Sequence, residues 1–301
     1  MMSNDNRIDA KDWSLLGVLS ILWGGSFFFN GAALRELPPF TLVFLRVMIG
    51  AALLLPLLRP YKISFPKGIA GWTPFFAIGL FNNVVPFSLI VMGQTCIPSG
   101  LASILNATTP LFTVVVMAVS GEERLEGRRI AGVVTGLIGV IILRGADVEL
   151  LGGEGIGILL CLGGAFSYGL AALVARRLPP TAPPLGTATF QLLASTAMMA
   201  IAAGIAERPW QHPIPGAMTW FALFGLAALS TALAYIVFFQ VLRRSGATNV
   251  MLVTLLIPVT AILLGYLVLG EPISVREIAG ALVIGSALLI IDGRVLNLWR
   301  R

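Results

Sequence analysis

PSGLASILNATTPLFTVVVMAVSGE, residues 98–122, and ATNVMLVTLLIPVTAILLGYLVLGE, residues 247–271, decide how this chain is built. Each is long and apolar enough to cross a membrane, yet each is interrupted near its middle. The first carries Ser103, Asn106, Thr108, Thr109 and Pro110; the second carries Thr254, Pro258 and Thr260. Both end in Gly-Glu. Pro110 and Pro258 stand 148 positions apart, and Glu122 and Glu271 stand 149 apart, close to half of the 301 residues. Apolar segments interrupted at corresponding places in two halves of a chain are the best sequence pointer to a transporter's binding site.

The rest of the chain supports a membrane reading. It is 57% hydrophobic and 11% charged, with a mean hydropathy of +0.93, whereas a soluble domain carries about 25% charged residues. So few charges cannot wet a surface, and most of the exterior must face lipid. The net charge of +6 sits in short loops rather than in a run, which excludes a nucleic-acid arm. Two cysteines, Cys96 and Cys161, and one histidine, His212, leave no disulfide framework, metal site or cofactor to expect. The polar N-terminus lacks the pattern of a secretory signal, so the first apolar segment is expected to stay as a span.

At about 20 apolar residues per crossing, ten spans are expected, at 13–33, 39–58, 70–93, 98–119, 127–144, 154–175, 184–206, 216–242, 248–269 and 275–292. With the N-terminus in the cytoplasm, fifteen Lys and Arg fall in inside segments and four in outside loops, with Arg46 inside a span. That bias predicts both termini cytoplasmic. The halves, 1–146 and 147–301, correspond beyond the prolines. At a spacing of 148, Trp72 matches Trp220, Asn83 matches Thr231, and RIAG at 129–132 matches EIAG at 277–280. Five spans per half make the second repeat inverted relative to the first. The expected fold class is an all-α membrane protein of ten transmembrane helices, two inverted five-helix repeats around a central cavity.

The WGGS at 23–26, the FLR at 44–46, and the Pro…Gly-Glu elements ending at Glu122 and Glu271 resemble the EamA-type members of the drug/metabolite transporter superfamily. The resemblance covers nearly the whole chain and is most similar to the YddG-type amino-acid exporters of bacterial inner membranes. It implies a multi-pass inner-membrane protein that exports neutral or aromatic amino acids; a multidrug or other metabolite exporter of the same fold is the alternative.

Candidate site residues follow from polarity at depth. Ser103, Asn106 and Pro110 share one helical face, and Thr254 and Pro258 repeat the last two. The prolines free the carbonyls of Asn106 and Thr254, which then need a hydroxyl, protein or a water-filled cavity. FNNVVPF at 81–87 sets Asn82 and Asn83 before Pro86. Adjacent helical residues point about 100° apart, so one is expected at the centre, and Asn83 is chosen because its mate Thr231 is also polar. Tyr235 lies one turn beyond Thr231. Trp23 and Phe27 in the first span and Phe166 and Tyr168 in the sixth would stack on an apolar substrate or simply pack. Arg46, about 10 Å into its helix, would pair with a substrate carboxylate or serve the scaffold. Gly132, Gly136, Gly139, Gly280 and Gly285 read as helix-packing positions.

The fourteen acidic residues all map to loops or span ends. Proton and sodium coupling use intramembrane carboxylates or histidine, so transport without strong ion coupling is expected, by alternating access and on a monomer, with an amino-acid-like cargo and the lipid bilayer as partners. A channel-like pore is the reading from a different class. Enzyme motifs are absent.

Overall fold

The computed structural model describes residues 10–124, 126–145, 152–178, 182–250 and 252–292. Among them the chain is helical, without strands: α1 (Ala10–Ala33), α2 (Pro39–Leu54), α3 (Gly68–Gly79), α4 (Val85–Gly93), α5 (Ser99–Asn106), α6 (Thr109–Val119), α7 (Gly127–Arg144), α8 (Gly153–Arg177), α9 (Pro184–Ala206), α10 (Ala217–Ala227), α11 (Ala234–Val250), α12 (Val253–Leu264) and α13 (Val275–Asp292). A π-helical segment, Leu80–Val84, joins α3 to α4, and a second, Ala228–Leu233, joins α10 to α11. A third, Gly265–Leu269, closes α12. Seven of the resulting stretches are long and apolar enough to cross a membrane. The helical run Val253–Leu269 is shorter, and α7 and α13 each carry three charged residues.

The polarity runs inside out for a water-soluble protein. Ile141, Ile201, Phe221, Leu267 and Leu282 are exposed, while Arg46, Asn83, Ser103, Thr189 and Ser195 are buried. Lipid tails are as apolar as leucine, so apolar burial does not hold such helices together; close packing and interhelical hydrogen bonds do. Accordingly, α7 and α13 lie against each other on glycines. A Cβ on Gly139 would come within 2.7 Å of Ile284, and one on Gly132 or Gly280 would collide with Ile291 or Leu143. Gly285 is different, with nothing nearer than Leu255 at 3.9 Å.

The helix pairing is the same when the two halves are exchanged. Helix α1 packs on α12 and on α10 and α11, and its mate α8 packs on α5 and α6 and on α4. Helix α2 packs on α9 and on the Ala228–Leu233 segment; α9 packs on α2 and on the Leu80–Val84 segment. The Gly-Glu signature is a helix terminator in both halves. Gly121 (φ 74°) and Gly270 (φ 71°) take the left-handed conformation that glycine adopts without strain. The following glutamate N–H then donates back, Glu122 to the Met117 carbonyl and Glu271 to that of Gly265.

One boundary departs from expectation. The loop expected near 243–247 is helical: α11 runs on to Val250, and α12 begins at Val253. Gly246 is the lone helix breaker in that stretch, and a single glycine costs a helix only about 1 kcal/mol.

Candidate functional site

The two π segments at the middle of the bundle shape the site. A π turn holds one more residue than an α turn, and it commonly marks functional positions. Val85 N–H reaches back to the Leu80 carbonyl and Ala234 N–H to that of Leu229, each a five-residue step. The wider turn re-aims the side chains on it, so both Asn82 and Asn83 enter one polar cluster. This corrects the expectation of a single inward asparagine, which assumed a regular 100° step. Asn83 donates through Nδ2 to Ser195 Oγ at 3.0 Å and accepts from Tyr235 Oη at 2.9 Å. Asn82 Nδ2 donates to Tyr235 Oη at 3.1 Å and to Gln191 Oε1 at 3.4 Å. Ser195 Oγ in turn donates to the Gln191 carbonyl at 2.7 Å.

The corresponding contact in the other half carries a charge. Arg46 of α2 is 5% exposed, and its Nε donates to Thr231 Oγ1 at 3.0 Å. Its guanidinium carbon lies 3.7 Å from the ring centroid of Phe87, a cation–π contact. Thr231 Oγ1 donates to the Leu226 carbonyl at 3.0 Å, which leaves its lone pairs toward the arginine. Tyr168 and Tyr235 stand near Arg46. Arg46–Thr231 and Ser195–Asn83 thus occupy equivalent places, α2 on one π segment and α9 on the other, one cationic and one neutral.

An aromatic run leads away from this centre. Tyr235 stacks near Phe239 at 6.3 Å, Phe239 meets Phe238 at 5.1 Å, and Phe238 meets Trp23 at 5.5 Å. Trp23 is therefore half-buried against α11. Phe27 is buried in the core near it. Beside Trp23, Gly24 brings α1 onto α12, where an added Cβ would lie 2.8 Å from the Ile257 carbonyl, next to Pro258. A cavity of about 250 Å³ opens from the end where α1 begins and reaches Tyr235, Phe239, Gln240 and Arg243 of α11, Leu57 and Tyr61 after α2, and Leu185 and Ala188 of α9.

The opposite end is closed by carboxylates on helix N-termini, where orphan N–H groups attract anions. Glu271 accepts from Ser99 N–H at 3.1 Å and Gly100 N–H at 3.4 Å. Glu207 accepts from Phe40 N–H at 2.9 Å and Thr41 N–H at 2.7 Å, and Glu36 from Gly216 N–H at 2.6 Å. Gln94 braces the same end by donating to the Phe27 carbonyl and Ser99 Oγ while accepting from Asn30 Nδ2 at 2.9 Å. At the open end, Glu122 and Glu123 pair with Arg176, Arg177 and Arg129. The hydrogen bond from Arg129, reinforced by Arg176, holds the Glu123 carboxyl below the usual carboxylate range against the opposing effect of burial.

The remaining expected site residues lie apart from this centre or at its edge. Pro110 occupies the first turn of α6, after a break at Ala107–Thr108, and the freed Asn106 carbonyl accepts from Thr109 Oγ1 at 2.7 Å. The Asn106 side-chain oxygen is buried without a hydrogen-bond partner. Ser103 is turned to its own helix, donating to the Gly100 carbonyl at 2.6 Å. Pro86 sits in the first turn of α4, directly after the π segment, Thr254 in the first turn of α12, and Pro258 inside α12. Phe166 is 41% exposed, edge-on to Phe112, among the outward apolar side chains rather than at the centre. Gln191 and Ser195 escaped notice in the sequence; they stand at i and i+4, on one face of a span that also carries Thr187, Thr189 and Thr196.

The profile of the EamA-like transporter family matches residues 13–145 and again 155–292. The chain belongs to the EamA-like transporter family. Among its relatives is a probable amino-acid metabolite efflux pump of Salmonella typhimurium, 27% identical over 295 residues that cover 94% of this chain and 95% of the relative. The transporter YoaV of Bacillus subtilis is 25% identical over 275 residues, covering 90% and 93%. The inner membrane transporter YedA of Escherichia coli K12 is 26% identical over 289 residues, covering 93% and 90%. A solved crystal structure superposes with a TM-score of 0.67 over 97% of this chain and all of that one, at 21% identity. The EamA-like assignment makes this a repeated helical membrane transporter and matches the inside-out polarity of the bundle.

Proposed function

We propose that this EamA-like transporter exports small amphiphilic metabolites of the amino-acid kind, neutral or aromatic, across the bacterial inner membrane. Both termini lie in the cytoplasm, as the bias of basic residues supports. Residues 1–146 and 147–301 act as inverted five-helix repeats. They rock about a site made by Arg46, Asn83, Thr231 and Tyr235, with Tyr168 beside it and Trp23 at the end of the aromatic run. Thr254, Asn106 and Ser103 border the path, and Pro86, Pro110 and Pro258 are the places where helices yield. The observation that carries this reading is a buried polar centre whose Tyr235 lines a cavity open at one end, while carboxylates bind helix N-termini at the other. A site open to one side only is what alternating access requires. Every described acidic residue lies at a helix end or in a loop, which supports movement down the substrate's own gradient.

Counterflow in proteoliposomes with a panel of labelled amino acids tests this. Exchange of neutral or aromatic amino acids at carrier rates is expected, unchanged by collapsing an imposed pH or sodium gradient. Gradient-driven accumulation would remove the uncoupled mechanism, and flux far above carrier rates would replace the carrier with a pore.

A further inference from the structure

We infer that the carboxylate is the end of the substrate that this centre holds, that Arg46 binds it, and that the substrate's amino group is dispensable. The cargo class then includes monocarboxylates without an amine, such as 2-hydroxy acids. The inference rests on the transport reading above for its site, and the experiment below separates the two.

Arg46 carries the first argument. A guanidinium has five N–H donors and no acceptor. Here Nε is used by Thr231 and one face is covered by Phe87. Among the described residues no carboxylate forms an ion pair with it. A cation taken out of water without an anion is costly, and the cost is recovered when an anion with matching geometry arrives. A substrate carboxylate supplies that anion, and bidentate pairing suits the planar fork.

The acceptors around the centre give the second. Asn83 Oδ1 is taken by Tyr235, and Gln191 Oε1 by Asn82. Among the described residues, the buried side-chain oxygens without a partner are Asn30 Oδ1, Asn106 Oδ1 and Ser230 Oγ, all neutral. An ammonium group therefore meets no charge partner here, only neutral oxygens. The approach gives the third. The cavity runs from Arg243 to Tyr235, and no carboxylate lines it. The carboxylates of Glu36, Glu207 and Glu271 are bound to helix N-termini at the opposite end. A passage lined by one sign of charge concentrates the other. Because the equivalent place in the other half is the neutral Ser195–Asn83 pair, the site accommodates one carboxylate, not two.

The test is competition against labelled phenylalanine in proteoliposomes by phenylalanine, 3-phenyllactate, phenylalaninamide and phenethylamine. Phenyllactate is expected to compete within about threefold of phenylalanine, and the amide and amine about tenfold or more weakly, the size of a charge-assisted contact. Arg46→Lys is expected to weaken phenylalanine and phenyllactate together while leaving the amide unchanged. An amide that competes as well as phenylalanine, or a phenyllactate that does not compete, overturns the inference, and both results come from the wild-type protein. Thermal shift of the detergent-purified protein with the same four compounds covers the case in which no label moves. Stabilisation by the two carboxylates alone would sustain the inference and sink the transport reading; no stabilisation by either would overturn the inference itself.

Discussion

Asn83 has no exposed surface, and both ends of its amide are used. Truncation would strip Ser195 of a donor and Tyr235 of an acceptor in a place where water is not at hand. Asn83→Ala is expected to cost about 1–3 kcal/mol and to abolish counterflow, read by thermal melting in detergent beside the transport assay. Asn106 makes the opposite case. Its Oδ1 is buried and unpartnered, so Asn106→Ala removes an unsatisfied acceptor and is expected to melt no lower than wild type while transport falls. A lower melting temperature would mean that the amide serves the fold. Polarity at depth made both asparagines legible in the sequence. Their unequal roles were not, because a hydrogen-bond partner 112 positions away, Ser195, leaves no local trace.

At the scale of elements, the matched π segments explain where sequence reasoning stopped. Leu80–Val84 and Ala228–Leu233 begin 148 positions apart, yet only the first is followed by a proline, Pro86. A widened turn without a proline has the composition of any apolar helix, so Asn83 and Thr231 could be matched while the geometry that re-aims them stayed hidden. The glycines of α7 and α13 show the same limit. Spacing marked them all as packing positions, but Gly139 faces Ile284 at 2.7 Å from an ideal Cβ, whereas Gly285 has open space to 3.9 Å. Gly139→Leu is therefore expected to separate α7 from α13 at a cost of about 1–3 kcal/mol. Gly285→Leu is expected to stay near neutral. Melting curves of the two variants side by side decide it; equal effects would show that spacing alone, and not close approach, sets the cost.

At the scale of the whole molecule, the two ends differ in how their carboxylates are used. At the open end, Glu123 sits among Arg129 and Arg176 with its carboxyl held below the ordinary range. A lowered folded-state value means that its stabilisation is complete above the unfolded value of about 4.3 and is lost as pH falls through the folded value. The melting difference between wild type and Glu123→Gln is expected to be steady from about pH 8 to 5 and to shrink below about 4. It stays small throughout, because the side chain is 32% exposed and solvent screens the pair. At the closed end, the Glu271 carboxylate accepts from both first N–H groups of α5, Ser99 and Gly100. A negative charge on a helix N-terminus contributes about 0.5–2 kcal/mol. Glu271→Gln is expected to shift the balance toward opening of this end by about 2- to 30-fold. Ser103, fully buried one turn below Ser99, is the place to read it. In a Cys96→Ser background, a Ser103→Cys probe is expected to react with an impermeant maleimide faster in the Glu271→Gln protein, and only from the side bearing Glu271. Faster labelling from both sides would indicate a loosened fold, and an unchanged rate would assign the closure to Glu207, Glu36 and the Gln94 brace instead.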